Sequence, residues 1–337
     1  MVVRLDMQTT RTTERIVMQM AQSAALPRDL KEAKRKKLVA QLKKIWPLYL
    51  FLLPAVVYIL IFNYYPMYGA QIAFRNYKIK DGILGSQWVG LQYFQKFISN
   101  YKFGVLIRNT LTVSIYGLFA NFAIRTVLSL SLNCLRSDLY RKTIQTVTYM
   151  PHFISTVVMV SILFRFFNPS MGAISKLIQA FGGTDRDLMG VAPAMPHIYV
   201  WSGIWQNAGW STILFIATLS AVDPQLHEAA IIDGASRFRR IFTVDLPTLR
   251  PTMVICFIMD CGHIMNLGYE KMLLMQNKLN LATTEIISTY VYSVGVGSGS
   301  PQYSYATAIG LFNSVINFLL IVIVNQISKK LGETSMW

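Results

Sequence analysis

Six apolar stretches of about 20 residues each, separated by polar segments, constrain this chain more than any other feature. They cover residues 46–64, 107–132, 143–167, 197–222, 250–268 and 305–327. A helix of roughly 20 apolar residues crosses the hydrocarbon core of a bilayer, where every backbone polar group must be satisfied internally. The composition agrees, because 53% of the 337 residues are hydrophobic and only 14% are charged. We therefore predict an all-α integral membrane protein with six transmembrane helices.

The distribution of lysine and arginine predicts the orientation of these helices. With the amino terminus in the cytoplasm, more than twice as many basic residues lie on the cytoplasmic side as on the opposite side. The predicted regions are a basic cytoplasmic arm (1–45), a first transmembrane helix (46–65), an extracytoplasmic loop (66–106), a five-helix core (107–327) and a cytoplasmic tail (328–337). This orientation also places the polar segment 223–247 in the cytoplasm.

The segment 223–247 has the signals of two short helices joined by a bend. Asp223 followed by Pro224 is a favourable helix start, since the carboxylate can accept from free N–H groups and proline is tolerated at the first position. Gly234 can adopt the left-handed conformation that ends a helix, and Ser236 can cap a second one. We expect Pro247 to end this second helix.

The same segment resembles the "EAA" loop of permease subunits in binding-protein-dependent ABC importers. The match consists of Glu228, Ala229, Ala230, Asp233 and Gly234, followed by Leu246 and Pro247, with Val244 in place of the usual isoleucine. NYYPMYG and ILGSQWVGLQYF near the start, and ATTEIISTYVY and QYSYATAIGLFNSVINF near the end, look like the carbohydrate-uptake branch. Permeases of the alginate and oligosaccharide importers are the most similar.

This resemblance implies a type I ABC importer permease in the bacterial cytoplasmic (inner) membrane. Its partners would be a second homologous permease subunit, two ATP-binding subunits and an extracytoplasmic solute-binding protein that delivers a sugar. Glu228 would dock into a cleft of an ATP-binding subunit, and Gly234 would supply the bend. ATP and Mg would be bound by those partner subunits, with no cofactor on this chain. An acidic oligosaccharide such as alginate suits the resemblance.

The sequence lacks the residue patterns that an enzymatic active site on this chain would need. No glycine-rich turn is followed by Lys and Ser or Thr, as a phosphate-binding loop requires. Four histidines and 16 acidic residues form no apparent metal or nucleophile constellation, and the three cysteines lack metal-ligand spacing. The basic residues do not form one patch interleaved with aromatics, which argues against a nucleic-acid partner. We expect no catalytic residues here.

Polar residues inside the apolar stretches are the candidates for a substrate path. Arg125 must face a protein interior or extend toward the nearer membrane surface. Asp260, His263 and Asn266 recur at a spacing of three and are expected on one helix face. In the fourth stretch, Trp205 and Asn207 could add aromatic and hydrogen-bonding contacts to a sugar. Alternatively, these groups satisfy one another, or the second permease, across helices.

Two other functions are compatible with parts of the sequence. The same architecture could import a peptide or an amino acid, which the specificity of the binding protein would decide. A secondary transporter would need coupling-ion residues and often two inverted repeats. We find no such repeat, which favours the ATP-driven importer.

Overall fold

The computed structural model describes residues 45–135, 137–183, 186–297 and 299–330. The predicted arm 1–45, apart from Ile45, and residues 331–337 of the predicted tail lie outside this part of the chain. The described residues are mostly helical, with one small antiparallel hairpin. In chain order the elements are α1 (Ile45–Phe74), β1 (Arg75–Asn76), α2 (Gly82–Gly85), β2 (Gln87–Trp88), α3 (Gln92–Ile98), α4 (Phe103–Asn133), α5 (Asp138–Tyr149), α6 (Thr156–Phe166), α7 (Ala173–Ala180), α8 (Met195–Ser211), α9 (Ile213–Ser220), α10 (Pro224–Ile232), α11 (Arg237–Cys261), α12 (Tyr269–Met275), α13 (Leu281–Thr284), α14 (Ile287–Tyr292) and α15 (Tyr303–Lys330).

Four helices in the described residues, α1, α4, α11 and α15, are long and apolar enough to cross a membrane. Helix α5 continues as a 3₁₀ turn, Met150–Phe153, and meets α6 at an angle of 100° across the break at residues 154–155. The two helices together give a fifth crossing if they form one broken span. The predicted fourth span is divided at Thr212 into α8 and α9, of 17 and 8 residues, each too short alone. Within the described residues the predicted count of six transmembrane helices is therefore not confirmed, although the all-helical prediction is correct.

Helix α1 is longer than the predicted first span and continues over 30 residues to Phe74. Pro66 lies inside it without ending it. A π-helical segment, Leu60–Tyr64, comes immediately before. The wider π turn shifts the backbone hydrogen bonds, so the missing N–H of proline costs less there. The start of the predicted loop 66–106 is consequently helical.

Residues 70–330 contain the packed core of the molecule. Helices α4 and α8 meet through Val113, Val200 and Ile204, with Met272 of α12 against them. Gly209 of α8 lies so close to α5 that a Cβ atom there would overlap the carbonyl of Thr148. A glycine is therefore required at this crossing.

The predicted polar loop 269–303 is largely helical and is held against α4. Lys102, just before α4, forms a 2.7 Å ion pair with Glu285. The Asn109 side chain donates to the carbonyls of Ala282 (2.9 Å) and Glu285 (3.1 Å). These polar contacts fix the connection between α13 and α14 on the end of α4.

Candidate functional site

Helix α10 forms as its sequence predicts. The Asp223 carboxylate accepts from the backbone N–H of Gln225 at 2.9 Å. At the other end Gly234 has φ of +74°, and the N–H of Ala235 bonds back to the carbonyl of Ala230 at 2.9 Å. This is the Schellman arrangement, in which a left-handed glycine lets the last carbonyls of a helix find donors.

The second helix of the loop differs from the prediction, because Pro247 does not end it. Ser236 caps α11 by accepting from the N–H of Arg239 at 3.3 Å. The helix then passes through a π-helical segment, Ile241–Asp245, and continues to Cys261. The wide turn accommodates the proline, which has no N–H to donate and needs room for its ring. One helix of 25 residues thus joins the polar loop to the predicted fifth span.

The motif residues form an exposed surface on this loop. Glu228, Ala229, Asp233, Gly234 and Pro247 are exposed, whereas Ala230 and Leu246 are half-buried. Large apolar side chains accompany them: Ile232 is 86% exposed, Phe238 76% and Phe242 61%. Exposed apolar side chains on an otherwise polar loop are typical of a protein-docking surface.

A buried carboxylate connects the loop to α4, which the sequence did not indicate. Asp245 accepts from the side-chain nitrogen of Asn133 at 3.0 Å, and Nε2 of His227 lies 3.5 Å from the same oxygen. His227 directly precedes Glu228 in α10. The loop, the start of α11 and the end of α4 therefore share one polar cluster, which we call the Asp245 cluster.

A second polar site is a cavity of about 350 Å³ between α4, α8 and the end of α11. Asp260 and His263 line it, as does Arg125, whose Nη2 lies 2.8 Å from Oδ2 of Asp260. Arg125 thus faces the protein interior, one of the two positions that we expected. Both Arg125 and Asp260 were candidates from the sequence, but their ion pair could not be predicted from it.

The expected helix face of Asp260, His263 and Asn266 is not formed, because α11 ends at Cys261. The chain continues in tighter turns, in which the N–H of His263 bonds to the carbonyl of Asp260 (3.1 Å) and that of Asn266 to the carbonyl of His263 (2.9 Å). His263 remains at the cavity, while Asn266 is exposed and is not among its lining residues.

The structure places Trp205 and Asn207 away from this cavity. Trp205 lines a separate apolar pocket of about 310 Å³ together with Phe166. Asn207 contacts Nδ1 of His152 at 2.9 Å, and the His152 ring stacks on Trp210 with centroids 4.4 Å apart. His152, Phe153 and Trp210 form an aromatic cluster at the bend between α5 and α6, and Asn207 contacts it through His152.

Lys271 of α12 lies beside the cavity wall. Its Nζ donates to the carbonyl of Tyr199 at 3.0 Å and lies 4.8 Å from the centroid of the Tyr199 ring. Burial of the ammonium group lowers the pKa of Lys271 to about 8. Tyr199 lines the cavity, so Lys271 supports its wall.

Comparison with known proteins decides the family. Residues 125–333 match the family model described as "Binding-protein-dependent transport system inner membrane component". The chain belongs to this family. It is a transport permease, and the family predicted from the EAA loop is confirmed.

Relatives and solved structures agree over most of the chain. It is 42% identical over 299 residues to protein LplB of Bacillus subtilis (strain 168), covering 89% of this chain and 93% of LplB. It is 39% identical over 307 residues to the polygalacturonan/rhamnogalacturonan transport system permease protein YteP of the same organism, covering 91% and 95%. A chain in the crystal structure of a bacterial alginate ABC transporter, in complex with alginate pentasaccharide-bound periplasmic protein, superposes with a TM-score of 0.79 at 32% identity. That match covers 89% of this chain and 100% of the other. The type I permease fold predicted from the sequence is thus confirmed.

Proposed function

We propose that this chain is one of two membrane-spanning subunits of an ATP-driven importer for an acidic oligosaccharide. The resemblance to YteP and to a chain of the alginate transporter supports this proposal. The names of both proteins refer to the transport of polymers that contain uronic acids. An extracytoplasmic binding protein would deliver the cargo. The amino terminus would lie in the cytoplasm, as the distribution of basic residues indicates.

The observation that carries the proposal is the continuity of α11. Phe238, on the exposed loop, and Asp260, at the polar cavity, lie on one helix and are roughly 33 Å apart along its axis. A partner that moves the loop would therefore move the cavity wall as well. When the two ATP-binding subunits close and open, the cavity would in this way become accessible in turn from each side of the membrane.

ATP hydrolysis belongs to the partner subunits in this proposal, together with ATP and Mg. The loop provides what such a partner needs, namely an exposed carboxylate at Glu228, the two alanines after it and the exposed apolar side chains of α10 and α11. Small side chains on a helix allow close approach to a partner surface. A second permease subunit would complete the path.

Gly234→Asp tests the coupling role of the loop. We expect the variant to insert into the membrane but to lose most oligosaccharide uptake, because a side chain at positive φ strains the bend and occupies the docking surface. Gly82→Asp is a matched control, since Gly82 also has positive φ (+66°) and open space around it but lies outside the loop. Normal uptake by Gly234→Asp would contradict the coupling role.

His263→Leu tests the cavity as part of the sugar path. We expect reduced sugar-stimulated ATPase activity in the assembled complex, because the imidazole at the cavity is lost. Asn266→Leu is the control, since Asn266 is exposed like His263 but is not among the residues that line the cavity. Equal stimulation in both variants and the wild type would leave the cavity without a role in transport.

A further inference from the structure

The cavity between α4, α8 and the end of α11 contains one buried guanidinium group. The Arg125 side chain is only 11% exposed, whereas the side chain of its partner Asp260 is 41% exposed. The Cζ atom of Arg125 lies 4.8 Å from the ring centroid of Phe215 and 5.6 Å from that of Phe122. The cation is therefore held in place by aromatic rings, while the carboxylate is the more accessible member of the pair.

Arg125 has donor capacity that the ion pair leaves unused. Asp260 meets it through a single contact, Nη2 to Oδ2 at 2.8 Å. Within the part of the chain that the structure describes, the buried Nε of Arg125 has no hydrogen-bond partner. A guanidinium group presents five N–H donors in a planar fork that suits a carboxylate in two-point contact, and the single contact with Asp260 does not use this fork fully.

We propose that Arg125 is a specificity-determining residue that binds the carboxylate of a uronic acid residue as the cargo passes, with Asp260 as the displaceable counter-ion. This rests on the proposed function, in which the cargo is an oligosaccharide. The incoming carboxylate takes the place of Asp260 at the guanidinium group. Asp260, being partly exposed, turns toward the cavity and returns when the sugar leaves.

Exchange of counter-ions gives selectivity without tight binding. A buried cation without a partner is costly, and in this arrangement Arg125 is paired before, during and after passage. Because the sugar must compete with Asp260, the carboxylate is held weakly enough to leave again, as a transport path requires. A neutral sugar cannot displace Asp260 and gains nothing from Arg125.

The alternative is that the pair only fastens α4 to α11. The two hypotheses predict opposite effects of Asp260→Asn on the binding of an acidic sugar. If Arg125 binds the cargo, Asp260→Asn removes the competitor and tightens the binding of an acidic sugar, while Arg125→Gln weakens it. If the ion pair only holds α4 against α11, both substitutions weaken the same helix contact. They then change the binding of the acidic sugar in the same direction.

The experiment uses the complete complex in lipid nanodiscs and four probes, trimers of galacturonate and mannuronate and the methyl ester of each. Direct binding to the complex without the binding protein is measured, together with uptake into proteoliposomes. We expect Arg125→Gln to weaken binding of an acidic trimer at least tenfold and to leave its ester unchanged. Asp260→Asn should bind the acidic trimer several-fold more tightly and release it more slowly during uptake.

Arg125→Lys keeps the charge without the planar fork and should retain part of the preference for the acid. If Arg125→Gln fails to assemble with the ATP-binding subunits, Arg125→Lys still tests whether Arg125 binds the carboxylate of the cargo. Equal loss for acid and ester, parallel effects of Arg125→Gln and Asp260→Asn, or a wild type that binds acid and ester alike would overturn the inference and leave the importer intact. A wild-type complex that takes up no oligosaccharide at all would instead overturn the proposed function.

Discussion

Asp245 is the residue at which the exposed loop meets the helices of the core. Its carboxylate is buried, and its contacts come from Asn133 of α4 and His227 of α10. Removing a partner from a buried carboxylate is costly, because the charge was desolvated on folding and needs its hydrogen bonds. The Asp245 cluster should therefore stabilise the fold and also fix the loop relative to α4.

We predict that Asp245→Ala lowers the free energy of unfolding by about 2 to 3 kcal/mol, because Asn133 and His227 both lose their acceptor. Thermal unfolding of the purified complex measures this change. Asp138→Ala is the control, since Asp138 forms an exposed ion pair with Arg141 and should contribute less than about 1 kcal/mol. Similar melting of the two variants would show that burial of Asp245 matters little.

Asp245→Asn is expected to separate stability from coupling. The amide keeps nearly the same shape and can still accept from Asn133, but it no longer attracts His227. We predict near-normal ATPase activity with several-fold fewer sugar molecules taken up per ATP hydrolysed. An unchanged ratio of uptake to hydrolysis would assign the cluster to stability alone.

Lys271 predicts a dependence of stability on alkaline pH. Its pKa is lowered to about 8 in the folded protein from an ordinary value of 10.5, so between these values the unfolded chain binds more protons. The contribution of this residue to stability must then rise as the pH increases from about 8 to 10.5. Lys271→Met should remove that rise, as measured by melting temperature at several pH values. A rise of the same size in the variant would assign it to other groups.

Among the helices, α5 and α8 cross so closely that no side chain fits at the contact. Gly209 approaches the backbone of Thr148 more closely than any side chain permits. Helix α5 then bends by 100° into α6, so an outward shift of α8 would be transmitted to the broken span. Packing at this one position therefore decides the arrangement of several elements.

We predict that Gly209→Ala destabilises the protein by more than about 2 kcal/mol, because a methyl group overlaps backbone that cannot rotate away. Gly310→Ala in α15 is the matched control, since nothing lies within 4 Å of its Cβ position. Alanine there should stabilise the helix by up to about 1 kcal/mol through propensity alone. Membrane yield and thermal melting compare the two, and equal behaviour would remove the argument for a close crossing.

For the whole molecule, the orientation in the membrane is what connects the two sites with their partners. The proposed function needs the loop in the cytoplasm, where ATP is available. We predict that a single cysteine at Glu228, in a chain whose three native cysteines are replaced, reacts with a membrane-impermeant reagent only from the cytoplasmic side. Labelling from the outside of intact cells would place the loop away from ATP and would contradict the proposed function.

The sequence alone determined the features that depend on local chemistry. Asp223, Gly234 and Ser236 act where their side chains or backbone preferences predict, because caps and left-handed glycines depend on residues within a turn of each other. The long apolar stretches identified the helical class for the same reason. The spacing of the EAA motif gave the family.

Only the tertiary structure decided what depends on residues far apart in the chain. The contacts of Arg125 with Asp260 and of Asn133 with Asp245 join residues more than one hundred positions apart, and no periodicity encodes such contacts. The π-helical turn that carries α11 past Pro247 and the division of the fourth stretch at Thr212 likewise follow from packing against neighbours. Local preference sets where a helix can begin, whereas the free energy of packing decides how far it runs and which charges meet.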